Sequence, residues 1–104
     1  MKQMYELRNM AKQITIFVFG SNRQGRHGKG AALEARKNWG ARNGQAEGLQ
    51  GRSYGIITKE LRKGYPSVTL FEIERGVKKF LDFAGRHPEM KFKMTLIGCG
   101  LAGY

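Results

Sequence analysis

Apolar and polar positions divide the chain into alternating strand-like and helix-like segments. Ile14-Thr15-Ile16-Phe17-Val18-Phe19 is a short β-branched and aromatic run closed by Gly20, the pattern of a strand buried on both faces as in parallel sheets. A loop with four glycines, Gly20 to Gly30, follows it. Ala31 to Asn38 then favours helix, with Ala31, Ala32, Ala35 and Trp39 on one inward face and Gly40 as the stop. The stretch from Gly40 to Gly51 is glycine-rich and reads as irregular. Ser53 to Thr58 is a short strand, closed by the polar turn Lys59–Pro66. Thr69 and Glu72 have capping-box spacing. Leu70, Ile73, Val77, Phe80, Leu81 and Ala84 recur behind them at helical period, until Gly85 and Pro88 end the helix. Lys91 to Ile97 alternates as a strand, with Phe92, Met94 and Leu96 on one face. Residues 1–12 carry Met4, Tyr5, Leu7 and Met10 among charges and read as either a short helix or a leading strand. The cadence is that of an α/β sandwich, whose ligands bind at the carboxyl ends of the strands.

Length bounds this to one domain, 1–104, near the small end of what folds alone. Fifteen glycines and only two prolines point to tight turns and close backbone approaches. The formal net charge of +11 points to a negative partner: a phosphorylated ligand, nucleic acid or an acidic protein. Between Arg23 and Arg42 six Lys/Arg face only Glu34, so the first loop and helix are strongly basic. Cys99 is the single cysteine and has no intramolecular disulfide partner. No signal-peptide pattern opens the chain and no apolar run approaches the ~18 residues of a membrane span, so a cytoplasmic location and no membrane contact are expected. One Cys and two His, His27 and His87, fall short of a zinc set, and no cofactor or metal is expected.

A glycine run between a strand and a helix lets successive amides converge on one anion at the positive end of the helix. Arg23, Arg26 and Lys29 add side-chain charge suited to a pyrophosphate. The loop is not a Walker motif, because Gly30 stands where the Ser or Thr after Gly28-Lys29 would hold magnesium. The last loop, Gly98-x-Gly100-x-x-Gly103, matches the dinucleotide fingerprint literally. It opens no helix and no acidic residue follows, so it carries no hydride-transfer signature.

Gly20-Ser21-Asn22, Gly25-Arg26-His27-Gly28-Lys29-Gly30-Ala31-Ala32, Gly48-Leu49-Gln50-Gly51-x-Ser53-Tyr54 and Ile97-Gly98-Cys99-Gly100-Leu101-Ala102-Gly103-Tyr104 together resemble the small macro-domain-like proteins of bacteria and phages. More distantly they are similar to macro domains, which bind ADP-ribose and in some cases hydrolyse its esters. The resemblance implies a small macro-like three-layer α/β sandwich, a mixed sheet flanked by helices. It implies two loops that clamp a diphosphate from both sides. One is Gly20, Ser21, Asn22, Arg26, Gly28, Lys29, Gly30 and Ala31, with Asn22 beside the distal ribose. The other is Gly98, Cys99, Gly100, Leu101, Ala102, Gly103 and Tyr104. It also implies a host-cytoplasm setting if the chain is phage-encoded. The sequence departs from the family at Ile57, where relatives have Pro. It also stops at Tyr104, where they continue into a further helix, so a C-terminally truncated fold is expected, its pocket covered by a neighbouring subunit or left open.

Two functions follow. One is binding of ADP-ribose or another phosphorylated NAD-derived nucleotide, with ADP-ribosyl hydrolysis as an accompanying activity. The other is a basic, non-enzymatic phage-type protein that binds nucleic acid or an acidic host protein. Asn22 reads equally as a group orienting a ribose hydroxyl or a water and as an Asx-turn residue. His27 is the candidate acid or base, against the plainer readings of phosphate contact or exposure. Glu47 is either the one carboxylate near the ligand or a solvated loop residue. Cys99 reads as a small buried residue, and Trp39, Phe80 and Phe83 as core. Gly30→Val is the substitution that blocks a nucleotide bound by the first loop.

Overall fold

A computed structural model describes residues 13–95 of the chain. The elements are β1 (Ile14–Asn22), α1 (Gly30–Asn38), β2 (Gly48–Gln50), β3 (Ser53–Lys59), α2 (Leu70–Gly85) and β4 (Met90–Met94). They form a mixed four-stranded sheet in the order β2-β3-β1-β4. β1 runs parallel to β3 and to β4, and β2 is antiparallel to β3. The connection from β1 to β3 carries α1. The connection from β3 to β4 carries α2 back across β1 in the opposite direction. Two crossovers of the same hand that travel in opposite directions set their helices on opposite faces.

The packing shows both faces. Ile16 and Val18 of β1 join Tyr54, Ile56 and Phe80 under α2. Phe17 and Phe19 join Ala32, Ala35 and Ala41 under α1. These β1 side chains are each at most 3% exposed, as the uninterrupted apolar run predicts. Trp39 caps the α1 core with its ring stacked on Phe17, centroids 5.2 Å apart and 7° from parallel. Under α2, Tyr54, Phe80, Phe83 and Phe92 meet edge-on or tilted, with centroids 5.1–6.3 Å apart.

Three sequence expectations are corrected. β1 does not stop at Phe19: its pairing with β3 continues to Asn22 opposite Lys59, across an irregularity between Ser21 and Asn22. The stretch Gly40–Gly51 contains β2, joined to β3 by the two-residue link Gly51-Arg52. Gly51 takes φ +60° at the first link position, where such hairpins require glycine. On α2 the inward stripe is Ile73, Gly76 and Phe80, while Leu70 (43% exposed) and Leu81 (60%) lie outside it. Phe83 packs on Tyr54 and Phe92, which rotates the stripe away from those two leucines. Gly76 lets the helix approach, since a Cβ there would stand 3.2 Å from Ile56 Cγ2. The last strand spans Met90–Met94 with Phe92 half-buried inward and Met94 exposed; Leu96 and Ile97 lie outside the described residues.

The predicted capping box forms. Glu72 N–H donates to Thr69 Oγ1 at 3.1 Å and Thr69 N–H donates to Glu72 Oε1 at 3.3 Å. Gly51 is more constrained, because a Cβ there would stand 2.6 Å from Gly40 O as well as occupying positive φ. Thr69→Ala is expected to lower unfolding stability by about 1 kcal/mol. Gly51→Ala should cost more than that. Urea unfolding followed by circular dichroism checks both the loss and the order.

Candidate anion-binding site at the carboxyl end of the sheet

Two loops leave the carboxyl ends of the parallel strands β1 and β3, and a cavity of about 370 Å³ opens between them. It is lined by Gly20, Ser21, Asn22, Arg26, Gly28, Lys29, Ala32, Lys59 and Leu61. That volume lies within the roughly 300–1,000 Å³ of small-molecule sites. The walls are glycine backbone and small side chains at the end of β1, with the first turn of α1 on one side and the end of β3 on the other. Three cations line it, Arg26, Lys29 and Lys59, and no carboxylate does. None of the three has an acidic partner among the described residues. Lys29 is the N-cap of α1, no side chain caps that end, and its first turn holds no acidic residue. The helix therefore presents its positive end beside Ala32 without an internal anion to satisfy it.

The first loop holds its shape through its own bonds. Asn22 Nδ2 donates to Arg26 O at 2.7 Å, and Asn22 Oδ1 accepts from Arg26 N–H at 2.9 Å. Both ends of that amide brace the loop, the Asx-type role. Ser21 is buried and its hydroxyl donates to Ala46 O. Gly25, at φ +67°, lies against the second glycine-rich stretch, where a Cβ would stand 2.7 Å from Gly44 C. Gly44 N–H donates to Gly25 O at 2.8 Å. Gly25 thus serves a backbone-on-backbone contact that a side chain would block.

His27 is placed away from the cavity. It is 1% exposed, edge-on to Phe19 at 5.2 Å. Its Nε2 lies 3.0 Å from Gln45 O, a carbonyl that only accepts, so Nε2 carries the proton and donates. Gln50 Oε1 lies 3.2 Å from the same nitrogen and also accepts from Arg42 N–H at 2.8 Å. Nδ1 is buried without a hydrogen-bond partner. His27 thus ties the first loop to the stretch 42–50 as a core residue. Gly30 and Ala31 lie next to the lining without forming it; Ala31 packs on the α1 core. Gly98, Cys99, Gly100, Leu101, Ala102, Gly103 and Tyr104 lie outside the described residues.

Arg23 and Glu47 turn to the other face of the sheet. Both line a smaller cavity of about 210 Å³ beside α2, together with Glu72, Arg75 and Lys79. Glu47 pairs with Lys79 at 3.2 Å, so it is not the carboxylate of the glycine-loop site. Arg23 is not free for a pyrophosphate either. Its guanidinium donates to Glu72 Oε2 at 2.7 Å, to Pro66 O at 2.7 Å and to Glu60 Oε1 at 3.3 Å. Lys59 and Leu61, which the sequence places in a plain polar turn, are the residues added to the site. Their signal is positional, since Lys59 ends and Leu61 follows a strand parallel to β1.

Glu60, between those two, fastens the frame. Its side chain is 1% exposed. It accepts from Arg62 NH2 at 2.9 Å, Arg62 N–H at 2.9 Å and Gln24 Nε2 at 2.6 Å, and Gln24 Oε1 in turn accepts from Leu61 N–H at 3.0 Å. The Arg62 guanidinium, then the Arg62 amide, then Gln24 and Arg23 hold the Glu60 carboxyl down at about 2, against burial, which pushes it up. Glu72 is also held below the usual carboxylate range, first by Arg23 and then by the Thr69 amide. Among the described residues no cluster of His, Cys, Asp or Glu has the makings of a metal site, and no helix is long and apolar enough to cross a membrane. The chain matches no family model, no curated protein and no solved structure.

Both carboxyls are lower in the folded than in the unfolded protein, so their contribution is complete above the unfolded value near 4.3 and is lost as pH falls through the folded values, about 2 for Glu60. Urea midpoints are expected to fall over that window. Glu60→Gln should be less stable at neutral pH and show a shallower acid decline, read by the same urea series from pH 7 to pH 2.

Proposed function

We propose that this chain is a macro-like domain that binds ADP-ribose or a closely related phosphorylated nucleotide in the cavity between the first glycine loop and the end of β3. One observation carries the reading: a cavity of about 370 Å³ bordered by Arg26, Lys29 and Lys59, by an uncapped helix start, and by no carboxylate. Such a set of charges favours a dianionic diphosphate, with amides and guanidinium or ammonium groups as donors. Leu61 supplies an apolar wall for the less polar part of a nucleotide. The family resemblance assigns the other half of the clamp to Gly98–Tyr104, the residues that follow β4, the strand beside β1.

The reading is one of binding. Asn22 spends its amide on the loop and His27 is buried away from the cavity, so no general base stands among the described lining residues. Gly30→Val is not a clean block, because Gly30 sits at φ +56° and any side chain there strains the backbone. Gly28 has ordinary φ, lines the cavity and leaves room for a Cβ. Calorimetric titration with ADP-ribose, NAD and ATP is expected to give saturable heat, strongest with ADP-ribose. Gly28→Val should abolish it, and Lys59→Glu should weaken it about tenfold or more, on the scale of a lost charge-assisted bond of roughly 1.5–3 kcal/mol. No heat from any of the three at millimolar ligand overturns the proposal.

A further inference from the structure

Two residues line the β3 side of the cavity, and they are held there by different means. Lys59 belongs to the sheet. It pairs with Asn22, the last pair of β1 with β3, and its carbonyl accepts from Arg23 N–H at 3.0 Å. Leu61 lies two residues beyond that strand. It is the one large apolar side chain among the described lining residues, and it is 49% exposed. Burial that partial holds it weakly. Its backbone is tied instead by a side chain of the first loop, for Leu61 N–H donates to Gln24 Oε1 at 3.0 Å. Gln24 does not line the cavity. It sits in the turn Asn22–Gly25, which Gly25 N–H closes by donating to Asn22 O at 2.9 Å, and Gly44 N–H braces that turn at Gly25 O. The other end of the Gln24 amide donates from Nε2 to Glu60 Oε2 at 2.6 Å. A carboxylate only accepts and a main-chain N–H only donates, so the two bonds permit one orientation of the amide. Glu60 is in turn held by Arg62 and Arg23.

From this arrangement we infer that Gln24 is the positioning residue that makes the cavity select a nucleotide over a bare diphosphate. The inference rests on the nucleotide reading of the cavity and assigns the source of its selectivity. The phosphate-binding side needs no help from Gln24. Strand pairing holds Lys59, the Asn22 amide holds the backbone of Arg26, and Lys29 is carried by the start of α1. Leu61 has no such support from the sheet. It meets the less polar part of a nucleotide only while its backbone stays tied to Gln24. Function in such a wall depends on the supporting residue being locked by its own hydrogen bonds, and both ends of the Gln24 amide are. Charge thus captures the diphosphate, and one bridging amide adds the preference for what is attached to it.

Calorimetric titration of the full chain with inorganic pyrophosphate and with ADP-ribose separates the two contributions. The unaltered chain should bind both, ADP-ribose the more tightly. Gln24→Ala leaves Glu60 its bonds to Arg62 and Arg23 and should keep the native circular dichroism. It should weaken ADP-ribose about fivefold, the scale of an apolar side chain half covered, and change pyrophosphate by less than about twofold. Retained pyrophosphate binding shows the fold to be intact. Leu61→Ala should behave in the same way. The double variant Q24A/L61A should lose no more than either single one, because both act through the same contact. In Gln24→Ala the Leu61 amide proton should exchange faster while those of β1 and β3 keep their protection. The inference is overturned by any of four results: unchanged ADP-ribose affinity in Gln24→Ala, equal weakening of both ligands, additive losses in Q24A/L61A, or unchanged exchange at Leu61. An unaltered chain that binds pyrophosphate as tightly as ADP-ribose overturns it too, since Leu61 then adds nothing. If the unaltered chain binds neither, the nucleotide reading fails and the inference falls with it.

Discussion

Everything in this fold is built against β1. Among the described residues it is the one strand that packs on both helices and pairs in parallel on both sides, so its side chains at positions 16–19 serve two cores at once. Burying each such side chain contributes roughly 1.5–3 kcal/mol. A polar substitution anywhere in the run would put an unpaired polar group into one core or the other, with no face of the strand left to solvent. The same arrangement immobilises what comes next. Because pairing with β3 persists to Asn22, the backbone of Gly20, Ser21 and Asn22 forms a stiff wall of the cavity and not the start of a mobile loop.

The glycines divide by what they approach. Gly25, Gly40, Gly51 and Gly55 each meet another backbone segment within about 3 Å of where a Cβ would stand, and they weld residues 40–55 to the first loop and to one another. Gly20 and Gly28 border the cavity instead. The acids divide in a parallel way. Glu47, Glu60, Glu72 and Asp82 are each engaged by a basic residue, whereas no acid among the described residues pairs with Arg26, Lys29 or Lys59 at the cavity. Arg23 and Arg26 are three residues apart and do unrelated work: one ties α2 to two loops, the other faces the cavity.

What is legible in the sequence is what local chemistry determines. The apolar run of β1, the Thr69–Glu72 capping box and the stop at Gly85 require no knowledge of the rest of the chain. β2 is hidden, because three residues between glycines show no periodicity and their pairing depends on Gly51 accepting positive φ. The inward stripe of α2 is misleading at Leu70 and Leu81, since hydropathy sees the leucines but not the pull of Tyr54 and Phe92 on Phe83. The candidate site is half legible. Its first wall follows from a glycine-rich exit from a buried strand. Lys59 and Leu61 join it only once β3 is known to lie beside β1. The roles of Asn22, His27 and Arg23 depend on which partner each reaches in the folded chain, and spacing carries no record of that.

The position of β4 has a consequence for the order in which the molecule assembles. Its described contacts within the sheet are all to β1, and Thr95 bonds to Val18 across 77 residues of chain. β1, α1, β2 and β3 join through shorter separations and can collapse first, whereas β4 must wait until α2 has crossed the sheet and closed the longest loop. Among the described residues β4 is also a short strand at the margin of the sheet with a largely exposed outer face, which makes it the cheapest one to detach. Amide protons of β4 should therefore exchange with solvent through a partial opening that leaves β1 and β3 paired, giving the domain two levels of protection within a single sheet.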